Sequence, residues 1–241
     1  MKLEICANSY KSAIHAQKAG AHRIELCTEL SLGGLTPSYG LLKQVIDTVS
    51  IPVCVLIRPR SGNFTYSNSE IDIMKHNIQL CKDLGCVSIV SGVLNKDNTI
   101  NIEHTKELIE LAKPLSFVFH RAFDWTPNAT QALEQLIDLG VERILTSGQK
   151  TSAVKGISLL EELKRIAKGR ITILPGGGIN ADNVSIFKKA GFKDIHASAS
   201  TIKQVNDVSK IGMHSHKFFD ETIEAYSDID NIKSILNIIN E

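Results

Sequence analysis

Two short segments of the chain carry the same pair of reactive side chains: Glu4-Ile5-Cys6 and Glu25-Leu26-Cys27, each a carboxylate followed two residues later by a thiol. Residues two apart share one face of an extended strand, so acid and thiol point the same way. Neighbouring strands lie about 4.8 Å apart, and equivalent positions on them would bring Cys6 and Cys27 within reach of each other. Two thiolates in a reducing compartment are a soft donor set that selects Cu(I) over hard cations. The competing reading is structural: free cysteines are among the most commonly buried small residues, and no CxxC or CxC spacing is present. Cys54, Cys81 and Cys86 read as structural, the last two flanking a helix end. Met213-His214-Ser215-His216 offers sulfur and imidazole but reads as a surface loop.

A second group of residues suits acid–base and anion chemistry. In Arg58-Pro59-Arg60 the proline stops a strand and throws both guanidiniums toward one end of it, where a paired fork binds carboxylate or phosphate; alternatively Arg58 neutralises Glu25 within the fold. His120, opening His120-Arg121-Ala122-Phe123-Asp124, is a candidate general acid or base, with Glu25 and Arg58 as its catalytic companions; it reads as well as a hydrogen-bonded core histidine. Thr126-Pro127 reads as a helix N-cap followed by proline at the first helical position, so that Asp124 stabilises that helix start. Pro175-Gly176-Gly177-Gly178-Ile179-Asn180 runs into a helix, where glycine amides hold phosphate or another anion, although a tight turn with positive φ needs the same glycines. Arg58, Arg60, Ser147, Gly176, Gly177, Gly178 and His196 form the resulting anion-binding set.

The elements that position these residues are marked by a recurring joint: a helical stretch, a glycine, three residues, then isoleucine in a short apolar run. It occurs at Gly20 to Ile24, Gly85 to Ile89, Gly140 to Ile144 and Gly191 to Ile195. Glycine past a helix end takes the left-handed conformation without a Cβ penalty, and the isoleucine begins a buried strand. The intervals are about twice a βα unit of roughly 30 residues, so a further strand falls between successive joints. The series is Leu3–Cys6, Arg23–Cys27, Val53–Ile57, Val87–Ser91, Ser116–His120, Arg143–Ser147, Ile171–Leu174 and Asp194–Ala197. Eight strands alternating with helices predict a single (βα)8 TIM barrel over residues 1–241, with an open doubly wound sheet as the alternative. The segment from Thr201 to Tyr226 has no clear period, and Asp228–Asn240 reads as a closing amphipathic helix with Ile229, Ile232, Leu236 and Ile239 on one face.

If the joint isoleucines face the helices, residues of opposite parity face the barrel interior. That interior set is Glu4, Cys6, Glu25, Cys27, Cys54, Arg58, His120, Ser147 and His196. Barrel cores are ordinarily branched and apolar, and barrel sites lie at the C-terminal ends of the strands, so this polar set predicts a site there; a self-satisfied internal ion network is the alternative.

Composition limits the partners. Among 241 residues, 27 basic and 26 acidic side chains leave a net charge of +1, which provides no bulk field for nucleic acid or an anionic membrane. No apolar run approaches the roughly 20 residues that span a bilayer. Five cysteines, an odd number, and an N-terminus without a leader pattern favour the cytoplasm.

The segments Glu4-Ile5-Cys6, Gly20 to Cys27, Gly33-Gly34-Leu35-Thr36-Pro37-Ser38, Ile57-Arg58-Pro59-Arg60, Tyr66, Phe119 to Asp124, Leu145 to Gly148 and Gly176 to Ile179 together resemble the signature blocks of the CutC copper homeostasis family. His196-Ala197-Ser198 departs from the family's His-Ser-Ser form at residue 197. The resemblance implies a (βα)8 barrel, a cytoplasmic location, a role in copper homeostasis, assembly into a homodimer or higher homo-oligomer, and Cu(I) taken by Cys6 and Cys27. The expected partner is therefore a copper ion or, if the barrel mouth is an active site, a small anionic molecule such as a phosphorylated substrate of an enzyme whose reaction the residues do not assign.

Overall fold

Strand and helix alternate through the computed structural model, which describes residues 1–204 and 222–241. The order is β1 (Lys2–Ala7), α1 (Tyr10–Ala19), β2 (Arg23–Leu26), α2 (Tyr39–Thr48), β3 (Val53–Leu56), α3 (Asn68–Asp83), β4 (Ser88–Ser91), α4 (Ile102–Ala112) and β5 (Ser116–Phe119). It continues with α5 (Ala129–Asp138), β6 (Arg143–Thr146), α6 (Ile157–Ala167), β7 (Thr172–Pro175), α7 (Val184–Lys189), β8 (Asp194–Ala197), β9 (Ser200–Gln204), β10 (Ile223–Ser227) and α8 (Ile229–Asn240). The first eight strands form one parallel sheet in the order β7-β6-β5-β4-β3-β2-β1-β8. A single parallel bridge between Gly176 and His196 joins its two ends, so the sheet curls into a nearly closed barrel and the open-sheet alternative is set aside.

Local chemistry explains the joints. At Gly20 the backbone takes φ +92°, and its N–H returns to the carbonyls of Ala16 and Gln17, ending α1 and turning the chain into β2. Ile24, Ile89, Ile144 and Ile195 are fully buried in the apolar layer between barrel and helices. Inside the barrel the opposite parity contributes Cys6, Cys27, Cys54, Leu56, Val90, Val118, Leu145 and Leu174.

Three local expectations are corrected. Helix α5 is capped by Asn128, whose side chain accepts from the Gln131 N–H, and not by Thr126; the Thr126 hydroxyl is spent on the Phe123 carbonyl 2.9 Å away. The stretch after β8 holds the antiparallel pair β9–β10, whose largely exposed side chains leave no apolar period to read. Helix α8 buries Ile235 with Ile232, Leu236 and Ile239, while Ile229 is only half-buried. Met213-His214-Ser215-His216 lies outside the described residues. Among the described residues no helix is long and apolar enough to cross a membrane.

Candidate functional site at the barrel mouth

The stagger between strands decides which side chains meet. In the β1–β2 register Cys6 lies opposite Glu25 and Glu4 opposite Arg23, so the two Glu-x-Cys segments are offset and do not pair as equivalents. The thiols nevertheless meet along the diagonal, with 3.6 Å between the Cys6 and Cys27 Sγ atoms. On the other side of β1, Glu4 lies opposite His196 of β8. Both lateral contacts are made: Arg23 Nε donates to one Glu4 oxygen, and His196 Nδ1 lies 2.8 Å from the other. Arg23 also reaches Asp194 at 2.9 Å, and Arg143 enters from β6 with Nη2 3.4 Å from Ser88 Oγ. The expected interior set omits Arg23, Arg143 and Asp194. Arg23 and Asp194 stand two residues before Glu25 and His196 on the same strands, and strand parity alone identifies all three.

Above this network the mouth holds a cavity of about 250 Å³. Cys6, Glu25, Arg58, His120, Arg121, Gly177, Gly178 and His196 line it, with Leu30, Leu56, Phe64 and Leu145 as apolar wall. Three buried polar atoms on these walls lack a hydrogen-bond partner among the described residues: Glu25 Oε2, Arg58 Nε and His120 Nε2. Leaving such an atom unsatisfied costs about 1–3 kcal/mol. Both terminal nitrogens of Arg58 are engaged, Nη1 donating to the Leu32 and Gly34 carbonyls at 2.7 and 2.9 Å and Nη2 to the Gly62 carbonyl at 3.0 Å. His120 Nδ1 accepts the Ala122 N–H at 3.2 Å, which leaves the ring proton of the neutral imidazole on Nε2. The Phe64 ring bridges the two, 4.9 Å from the His120 ring centroid and 5.1 Å from Arg58 Cζ, and Trp125 meets Phe64 edge-on at 4.9 Å.

Charge is distributed unevenly over the site. Burial opposes ionisation of Glu4, but the His196 contact and Arg23 outweigh it and hold the carboxyl at about 2. Burial pushes the Glu25 carboxyl up to about 7, with His196 and the arginines offsetting only part of the rise. Burial also works against charge on His196, yet Cys6, Glu25 and Glu4 prevail and raise it well above the ordinary imidazole value. The Cys6 thiol is pushed up by its contact with Cys27 and by burial. Burial, reinforced by Arg58, draws His120 down to about 3 and keeps it neutral.

Other expected site residues lie away from the cavity. Arg60 is turned outward to pair with Glu70 and donates to the carbonyls of Ser61, Asn63 and Thr65, so no paired arginine fork exists. Strand alternation does not govern a residue beyond the strand end. Nor does Arg58 neutralise Glu25, since its terminal nitrogens are held by loop carbonyls. Ser147 sits beneath the rim, where its hydroxyl bonds Asp124 Oδ2 at 2.9 Å and the Lys150 carbonyl at 2.6 Å. Gly176 serves packing: a Cβ there would stand 2.5 Å from Leu145 Cδ1. The turn at Asn180–Asn183 separates the glycine run from α7, so its amides are not at a helix N-terminus. Asp124, expected to stabilise α5, instead binds the Ser147 and Gln149 amides, each at 3.1 Å, and Arg121 Nε at 2.8 Å, organising the loop after β6.

Cys6 Sγ, a Glu25 carboxylate oxygen and a His196 ring nitrogen lie within 4.8 Å of one another, all buried, and form a candidate ligand cluster. The fold and this cavity place the chain among (βα)8-barrel proteins with a polar pocket at the C-terminal mouth. Residues 1–201 match the model of the CutC family, and the chain belongs to that family. A "family protein CutC" of Pasteurella multocida is 43% identical over 225 residues, covering 93% of this chain and 91% of the relative. The human copper homeostasis protein cutC homolog is 46% identical over 202 residues, covering 83% and 74%. A crystal structure of a CutC protein from Streptococcus agalactiae superposes with a TM-score of 0.78 at 35% identity, covering 82% of this chain and 98% of the other.

Proposed function

We propose that the chain serves copper homeostasis by holding Cu(I) between the Cys6 and Cys27 sulfurs at the floor of the barrel mouth. The observation that carries this reading is the 3.6 Å approach of the two thiols, one of which opens onto the cavity. The donor chemistry suits a soft monovalent ion, and the His196 imidazole lies near enough to Cys6 to add a third ligand. Both sulfurs, and His196 where it joins them, must shed their protons, so uptake is proton-linked and strengthens as pH rises. Five free cysteines suit a reducing cytosol, where such an ion is carried by thiolates. Assembly as a homodimer or higher homo-oligomer belongs to the same proposal, and light scattering of the eluted peak measures it. Anaerobic titration of the reduced protein against a competing Cu(I) chelator tests the site. One tightly held ion per chain, lost in the Cys6→Ser, Cys27→Ser double variant, is expected; binding indifferent to both thiols would overturn it.

A second reading is favoured by a different observation, the three unpartnered polar atoms around the cavity. They support an enzyme that binds a small anionic, for instance phosphorylated, substrate. Arg58 and the Gly177 and Gly178 backbone offer contacts, and His196 adds positive charge. Titration with inorganic phosphate by calorimetry measures the anion contact directly.

A further inference from the structure

We infer that His120 and Arg58 form a two-donor site for the carbonyl oxygen of a small anionic carbonyl compound, and that Glu25 removes a proton from the carbon beside that carbonyl. This rests on the anion-binding reading of the cavity and assigns it a reaction.

The three unpartnered atoms are complementary: His120 Nε2 and Arg58 Nε are donors, and Glu25 Oε2 is an acceptor. The Glu4 oxygens beneath them, by contrast, are both engaged, by Arg23 and His196. Both donors are locked in place. The His120 ring is fixed by the Ala122 N–H on its other nitrogen and packed tightly against Gly92, where a Cβ would come within 2.8 Å. The Arg58 guanidinium is fixed by the three carbonyls that occupy its terminal nitrogens. Phe64 lies against both groups and gives the pair a flat apolar wall suited to a planar carbonyl. Because His120 is neutral, it can hold growing negative charge on oxygen by hydrogen bonding without surrendering its proton. Fixed donors aimed at developing charge are among the most effective devices an active site uses.

The step balances without a further reactant. The carbon–hydrogen bond next to the carbonyl breaks, and its proton passes to the Glu25 carboxylate. The electron pair forms the carbon–carbon double bond of an enolate while the carbonyl pair moves onto oxygen, between the His120 and Arg58 N–H groups. Return of the proton to the same or the neighbouring carbon completes exchange, epimerisation or isomerisation. The anionic end of the substrate takes the Gly177–Gly178 side of the rim, beside the Arg121 guanidinium. The substrate class is therefore a small phosphorylated or carboxylated carbonyl compound with a hydrogen on the adjacent carbon.

The test uses hydroxyacetone phosphate, glycolaldehyde phosphate and pyruvate as probes. Proton NMR in deuterium oxide follows loss of the carbon-bound hydrogens beside the carbonyl, and calorimetry on the same protein reads binding. Expected is protein-dependent deuterium uptake into at least one probe, reduced by about 100-fold or more in Glu25→Gln and in His120→Phe. Glu25→Gln should still bind that probe, whereas Arg58→Leu should weaken binding by about 10-fold or more. Wild-type protein that binds a probe without catalysing exchange overturns this inference and leaves the anion reading standing. Absence of both binding and exchange overturns the two together. Exchange that persists undiminished in Glu25→Gln or His120→Phe overturns the assigned roles, and the wild-type measurement decides the matter even if a variant does not fold.

Discussion

His196 Nδ1 lies 2.8 Å from one carboxylate oxygen of Glu4, while the other oxygen receives the Arg23 guanidinium. One buried acid on β1 thereby holds a cation from each neighbouring strand, β8 and β2. Removing its charge would leave Arg23 and His196 buried around a neutral centre, and breaking such a pair costs about 3–5 kcal/mol. Glu4→Gln should lower stability by that order in urea denaturation; a midpoint unchanged from wild type would show the network to be dispensable.

The same groups set the response to acid. Glu4 titrates near 2 in the folded chain against an ordinary 4.5, so its stabilisation is complete above about 4.5 and is lost as pH falls toward 2. His120, drawn from 6.5 to about 3, adds a second loss that begins as pH drops below 6.5. His196 has the opposite sign: raised in the fold, it stabilises at pH below 6.5 and loses that contribution as pH rises through its folded value. Glu25, raised from 4.5 to about 7, shares that opposite sign: it gains stability as pH falls from about 7 to 4.5 and offsets the His120 loss over that range. Thermal midpoints should therefore change little between pH 6.5 and 4.5 and fall from about 4.5 to 2, less steeply in Glu4→Gln. Nitrogen-15 NMR should find His120 neutral near pH 6, with its proton on Nε2.

Gly156 abuts the loop after β6 so closely that a Cβ would lie 1.9 Å from the Ser147 carbonyl oxygen. Backbone cannot yield as a side chain can, and Gly156→Ala should cost more than about 3 kcal/mol or prevent folding. Gly40, in the first turn of α2, has open space where a Cβ would stand. Gly40→Ala should instead stabilise by about 0.5–1 kcal/mol, measured in the same urea series.

Asp124→Asn exchanges one acceptor oxygen for a donor that faces the Ser147 and Gln149 amides or the Arg121 guanidinium. A loss of about 1–3 kcal/mol is expected from the unpaired groups, a fall of several degrees in the thermal midpoint for a chain of this length. Faster amide exchange at Ser147 and Gln149 should accompany it; protection equal to wild type would count against Asp124 as the organiser of that loop.

Much of the architecture is legible because strand alternation and helix termination are local. Gly20 and its counterparts mark the turns into β2, β4, β6 and β8, and parity carries Glu25 into the barrel, while Arg58 and His120 continue the inward parity of β3 and β5 just past the strand ends. Arg60 escapes this logic because it lies in a loop, where the position of Glu70 decides its direction. The choice between Thr126 and Asn128 as cap was likewise tertiary: Gln149, arriving from the loop after β6, donates to the Thr126 carbonyl at 2.7 Å. The diagonal meeting of Cys6 with Cys27 depends on barrel stagger, which no pair of short segments encodes. Asp124 acts on residues more than twenty positions away, and its neighbours in sequence give no sign of it.

The edge-on contact of Trp125 with Phe64 gives the protein an optical property. Trp125 is the chain's single tryptophan, and the ring it touches lines the cavity. A molecule that enters and shifts Phe64 alters the surroundings of that one indole, so its emission reports occupancy without a label and without interference from any second chromophore of its kind.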